Sequence, residues 1–215
     1  MIIPAIIPKS LDDLEEKLEL LAFANDVQID VVDGVFVKDI SWPYEPHGNP
    51  EEAKTFLGEK EFEVDLMVED SVIAGQVWQN AGAKRLIFHL ESFSDRDEIH
   101  TLKSKFSCQI GLSLNNDTSL EELYPYVDSI DFVQLMGIDI IGSQGQPFDV
   151  RVLERIATLR ALYPKLTLSI DGAVSEENIS VLRAAGVDRF AVGSNILKAD
   201  DPKAQYEKLL KIVSV

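Results

Sequence analysis

Residues 166–194 read LTLSIDGAVSEENISVLRAAGVDRFAVGS. Leu166 to Ile170 is a short apolar run of the kind that suits a buried strand, and Asp171-Gly172 ends it. Ser175 then precedes a stretch of helical period, whose first exposed amides its hydroxyl can cap. Arg189 to Val192 is a second apolar run, closed by Gly193-Ser194. The unit is strand, helix, strand, and two strands joined by a helical crossover lie parallel.

The same alternation extends to both sides. Further strands are expected at Ile2 to Ile6, Val27 to Val31, Phe62 to Met67, Arg85 to His89, Cys108 to Ser113 and Ile130 to Leu135, nearly all followed by helical stretches. Ser10, Ser94 and Ser119 are placed to cap three of these, with Glu122 completing a capping box after Ser119. The acids Asp12, Asp13, Glu15 and Glu16 complement a helix dipole and face solvent. Eight strand–helix pairs in 215 residues, with no linker or low-complexity segment, favour one closed (β/α)8 barrel over residues 1–215. An open Rossmann-like sheet is the alternative, weakened because the first strand is not followed by GxGxxG.

With 20 basic and 37 acidic residues, the net charge of -17 repels nucleic acid and anionic membranes. An anionic ligand would need a pocket of backbone amides and helix amino ends. Cys108 is the only cysteine, which excludes an internal disulfide and a cysteine-based zinc cluster. The opening MIIPAIIPKS lacks the basic leader of a signal peptide, and no stretch approaches the roughly 18 apolar residues of a membrane span. A cytoplasmic protein is expected.

In such a barrel, chemistry collects at the carboxyl ends of the strands. Those ends carry Gln28, Asp30 and Asp33, then Asp65 and Met67, His89 and Glu91, Asn115, and Met136 with the loop GIDIIGSQGQPF. Asp171-Gly172 and Gly193-Ser194 complete the mouth. Alternation puts Gln28 and Asp30 on one strand face, pointing into an otherwise apolar barrel. Buried carboxylates are costly unless paired, hydrogen-bonded or metal-bound, so Asp30, Asp65 and Asp171 on three strands suggest work beyond structure; the alternative is a satisfied network that tethers loops.

The segments QIDVVDGVFV (28–37), DLMV (65–68), FHLES (88–92), GLSLNNDTSL (111–120), LMGIDIIGSQGQPF (135–148), SIDGAVSEENI (169–179) and AVGSNILKADDP (191–202) resemble, in order, the motifs of the ribulose-phosphate 3-epimerase family. The resemblance runs over nearly the whole chain. It implies a TIM barrel of the ribulose-phosphate-binding type and inversion at carbon 3 of a ketopentose phosphate, interconverting ribulose 5-phosphate and xylulose 5-phosphate. Asp30 and Asp171 match the family's acid/base pair, which works on opposite faces of a planar enediolate. The phosphate is then expected on the loop around Gly145 and Gln146, on Gly172 and Ala173, and on Gly193 and Ser194, with Met67 and Met136 under the sugar. A homo-oligomer is also implied.

Four positions depart from the family pattern. Gln28 and Asp65 stand where the family has its two metal-binding histidines, Ala5 replaces a serine, and Ala173 replaces the second of two glycines. Two outcomes are open for the metal. Gln28, Asp30, Asp65 and Asp171 can form an all-oxygen site suited to magnesium or manganese over zinc, or the site is metal-free and mutual repulsion raises a carboxylate pKa. The lysine of the DxKxxD signature of metal-independent decarboxylases and aldol-type synthases is missing from DVVDG. The reading is thus an epimerase for a ketose phosphate, with an inactive phosphosugar-binding homologue or a hexulose-phosphate epimerase as alternatives.

Overall fold

Eight parallel strands close into a barrel in sequence order: β1 (Ile2–Ile6), β2 (Asp26–Val32), β3 (Glu61–Met67), β4 (Arg85–His89), β5 (Gln109–Leu114), β6 (Phe132–Met136), β7 (Thr167–Asp171) and β8 (Arg189–Val192). The structure is a computed structural model and describes residues 1–142 and 145–214; Ser143 and Gln144 of the glycine-rich loop lie outside them. All eight expected strands are present, with ends shifted by at most two residues. A (β/α)8 TIM barrel is therefore the fold.

The helices are α1 (Leu11–Leu20), α2 (Lys54–Leu57), α3 (Ser71–Asn80), α4 (Leu102–Lys105), α5 (Arg151–Leu162), α6 (Ile179–Ala185), α7 (Ser194–Leu197) and α8 (Pro202–Val213). None is long and apolar enough to cross a membrane. Beyond β5 the chain makes 3-10 turns over Leu120–Glu122 and Tyr124–Ser129 instead of an α-helix. Pro125 at the start of the second turn has no N–H to give to an α-helical ladder.

Of the expected serine caps, only Ser10 caps its helix, accepting from the Asp13 amide at 3.0 Å. Next to Ser94 the carboxylate of Asp95, a stronger acceptor, caps the turn instead. The box at Ser119 does not form, because its hydroxyl donates to Glu121 and Glu122 is drawn to Arg96. Ser175 accepts from Glu177 ahead of the helix, and α6 starts only after Asn178, whose amide ties Ser175 N and Ala173 O together. Asn49 and Glu52 make a genuine capping box.

The main hydrophobic core lies between barrel and helices. Outward-facing Ile29, Val31, Val64, Leu66, Phe88, Leu112, Leu135 and Ile170 join Leu14, Trp78, Ile156 and Leu182 of the helices in one buried cluster. The inside of the barrel corrects the expectation of an apolar interior. Gln28, Asp30, Glu63, Asp65, Arg85, His89, Ser113, Gln134, Ser169, Asp171 and Arg189 are all buried, and strand register puts them on the inward face. A polar interior is tolerated because nearly every group in it meets a partner across the barrel.

At the amino ends of the strands that pairing is ionic. Glu63 accepts from Arg85 Nε at 2.6 Å and from Arg189, and Arg85 also reaches Asp26 at 2.6 Å. The Arg189 guanidinium lies 4.2 Å over the Phe132 ring, which in turn sits where a Cβ on Gly111 would approach within 2.4 Å. Replacing Glu63 by Ala leaves two largely buried cations without their shared anion. Urea denaturation should show Glu63→Ala destabilised by about 3–5 kcal/mol; a loss under about 1 kcal/mol would mean that the base of the barrel is not held by this pair.

Candidate active site

The carboxyl ends of the strands surround a cleft. Its lining includes Asp30, Met67, Met136, Gly145, Gln146, Gly172, Ala173, Gly193 and Ser194, together with Asp171, so all the expected substrate-contacting positions face one space. The sequence reading passed over Ala191, Ile138 and Asn195, which also line it. Two of these are small or apolar groups without a chemical signature.

Beneath this floor the polar side chains are tightly linked. The Gln28 amide nitrogen donates to Asp30 Oδ1 at 2.7 Å and to Asp171 Oδ2 at 2.9 Å, bridging strands β2 and β7. Asp30, Asp65 and Asp171 each bring an oxygen within 4.8 Å of the others. Asp30 and Asp171 reach the cleft, whereas Asp65 and Gln28 are wholly buried below it. Burial first, then the charges of Asp171 and Asp65, pushes Asp30 well above the usual carboxylate range. Burial and Asp65 push Asp171 up to about 7, against the opposing pull of its Gln28 bond.

Asp65 accepts from two further groups. His89 Nε2 lies 2.9 Å from its Oδ1, and Gln134 Nε2 donates to its Oδ2 at 2.9 Å. Burial works to lower the His89 pKa, but the charge and hydrogen bond of Asp65 outweigh it and leave the imidazole raised. Gln134 carried no sequence signal, because one glutamine inside an apolar run marks neither a turn nor a motif.

The loops are fixed to this floor by close backbone contacts. Gly137 donates to Asp171 O, and a Cβ on Gly137 would stand 2.2 Å from Gly172 O, so no side chain fits there. Gly172 and Ala173 both have left-handed backbone, at φ 99° and 53°. For Ala173 this costs about 1 kcal/mol relative to glycine, and both residues line the cleft. Arg151, at the start of α5, ion-pairs with Asp117 at 2.6 Å, Asp149 at 2.7 Å and Asp139. Asn116 bonds Met136 O and Asp149, tying β6 to its loop.

The donor set fits a hard divalent cation. Three carboxylates converge, and Gln28 Oε1 is buried without a hydrogen-bond partner among the described residues. His89 is turned to Asp65, outside the carboxylate trio.

Residues 1–197 match the family model described as the ribulose-phosphate 3 epimerase family. The cytoplasmic isoform of ribulose-phosphate 3-epimerase from Oryza sativa is 28% identical over 200 residues, covering 88% of this chain and 83% of that protein. Ribulose-phosphate 3-epimerase from Helicobacter pylori is 26% identical over 213 residues, covering 97% and 96%. Among solved structures, 3-keto-L-gulonate-6-phosphate decarboxylase from Vibrio cholerae superimposes with a TM-score of 0.73 at 15% identity, over 100% of this chain and 97% of that one, a likeness of fold alone. With its order of motifs carried on a closed barrel and matched from residue 1 to 197, the chain belongs to the ribulose-phosphate 3-epimerase family.

Proposed function

We propose that the chain, as one barrel domain, is an epimerase that inverts carbon 3 of a ketose phosphate of the ribulose 5-phosphate and xylulose 5-phosphate kind. The observation that carries this reading is the pair Asp30 and Asp171, two carboxylates from β2 and β7 that open into one cleft and share a single amide donor. One takes the proton from carbon 3 to leave a planar enediolate. The other delivers a proton to the opposite face, so the configuration inverts while atoms and charge balance. A raised pKa suits both roles, since at about 7 for Asp171, and above the usual carboxylate range for Asp30, a carboxyl group holds a proton more readily during turnover.

The phosphate is read onto the amides of Gly172 and Ala173, the turn at Gly193 and Ser194, and Gly145 with Gln146, because these line the cleft wall next to the two aspartates. Met67 and Met136 give the sugar an apolar floor. Asp30, Asp65 and Asp171 would hold a divalent cation, joined by the Gln28 amide oxygen once that amide turns its nitrogen away from the two aspartates, and an all-oxygen set favours magnesium or manganese over zinc. Such an ion would supply positive charge to the enediolate oxygens.

In deuterated buffer, ribulose 5-phosphate should gain deuterium at carbon 3 with the manganese-supplemented wild-type protein. Asp171→Asn should lower that exchange by at least about 10²-fold while inorganic phosphate still binds; exchange at the wild-type rate would remove Asp171 from the acid/base pair. No exchange by the wild type would leave a phosphosugar-binding protein.

Cation binding and protonation compete at these carboxylates. In the cation-free protein Asp171 binds its proton up to about pH 7, so Mn²⁺ must displace it below that value and meets an ionised group above it. Manganese affinity should therefore rise by about tenfold per pH unit for each proton displaced between pH 5 and 7. Calorimetric titrations at three pH values would measure this, and affinity that is flat or falls as pH rises would contradict it.

A further inference from the structure

Asp65 differs from the other two carboxylates in what surrounds it. It is wholly buried and does not line the cleft, yet each of its oxygens meets a separate donor: His89 from the neighbouring strand β4, and Gln134 from β6 across the barrel interior. Gln134 is itself wholly buried. Its oxygen accepts from Ser169 Oγ at 3.4 Å, on the strand with which it is in register. The Asp65 carboxylate, which can only accept, decides that the amide turns Nε2 to it, and the Ser169 hydroxyl supports that orientation from the other end. A hydroxyl donating to Oε1 leaves Nε2 for the carboxylate, whereas the flipped amide would set its oxygen against an anionic oxygen.

We infer that Gln134, supported by Ser169, is a positioning residue that holds the Asp65 carboxylate in the orientation a divalent cation needs. A carboxylate held by one donor can swing about its terminal torsion, whereas donors on both oxygens fix its plane. Each oxygen retains a second lone pair, so the two hydrogen bonds do not exhaust its capacity to bind an ion. Gln134 touches neither the cleft nor the other two carboxylates and acts only through Asp65. The inference rests on the cation reading proposed above.

Manganese binding to the purified full-length protein, measured by calorimetry and by the electron paramagnetic signal of free Mn²⁺, tests it without recourse to turnover. Gln134→Leu should weaken binding about 10- to 100-fold, the usual effect of losing an outer-sphere partner, and Ser169→Ala should weaken it less. In an Asp65→Ala background, Gln134→Leu should change nothing further, since the group through which it acts is gone. Wild-type affinity in Gln134→Leu would overturn the inference while leaving the cation site standing. An equal loss in both backgrounds would also overturn it, by showing a general packing defect. If Gln134→Leu does not fold, Ser169→Ala carries the same comparison. A wild-type protein that takes up no Mn²⁺ overturns the cation reading and this inference with it.

Discussion

A strand presents every second side chain to the inside of the barrel, and in this chain that inward set is polar. Side chains there are largely shut off from bulk water, so a charge is costly unless residues delivered by other strands partner it. The register of the whole barrel depends on this condition. Shifting one strand by a residue would turn Gln28, Asp30, Glu63 or Asp65 toward the helices and Ile29 or Val64 toward the ions, with a loss at both surfaces. The apolar layer outside the strands supplies most of the cohesion; the polar layer inside supplies the uniqueness of the arrangement.

The two ends of that interior are charged differently. Toward the amino ends, Glu63 lies between two arginines, so its charge is matched by cations. Toward the carboxyl ends, three carboxylates share two amides and one imidazole, an excess of acceptors over donors that goes with the raised pKa values of Asp30 and Asp171. One strand, β3, takes part in both, with Glu63 serving stability and Asp65 serving the site two residues later. The same periodicity therefore carries structure at one end and chemistry at the other.

Much of this was legible in the residues. Strands buried on both faces give short apolar runs, and polar residues at their carboxyl ends stand out, so Asp30, Asp65, Asp171 and the glycine turns could be found from order alone. Helix starts were read less well, because at Ser94 and Ser119 the acceptor that wins is decided by a neighbouring acid or arginine that local spacing does not reveal. The polar interior was missed for a related reason. Gln134 and Ser169 look like minor interruptions of apolar strands, and only the closing of the barrel brings Gln134 to Asp65, 69 positions away in the chain.

Arg151 has a consequence for encounter kinetics. It stands where the β6 loop meets α5, but three aspartates engage it, so its field is largely cancelled at the rim of an already acidic molecule. A phosphorylated sugar approaching this face is not drawn in over long range, and capture depends on contacts made only once it is inside. Raising the ionic strength would then screen a repulsion, and association would quicken with added salt, the reverse of the trend for enzymes that guide anions with a basic funnel.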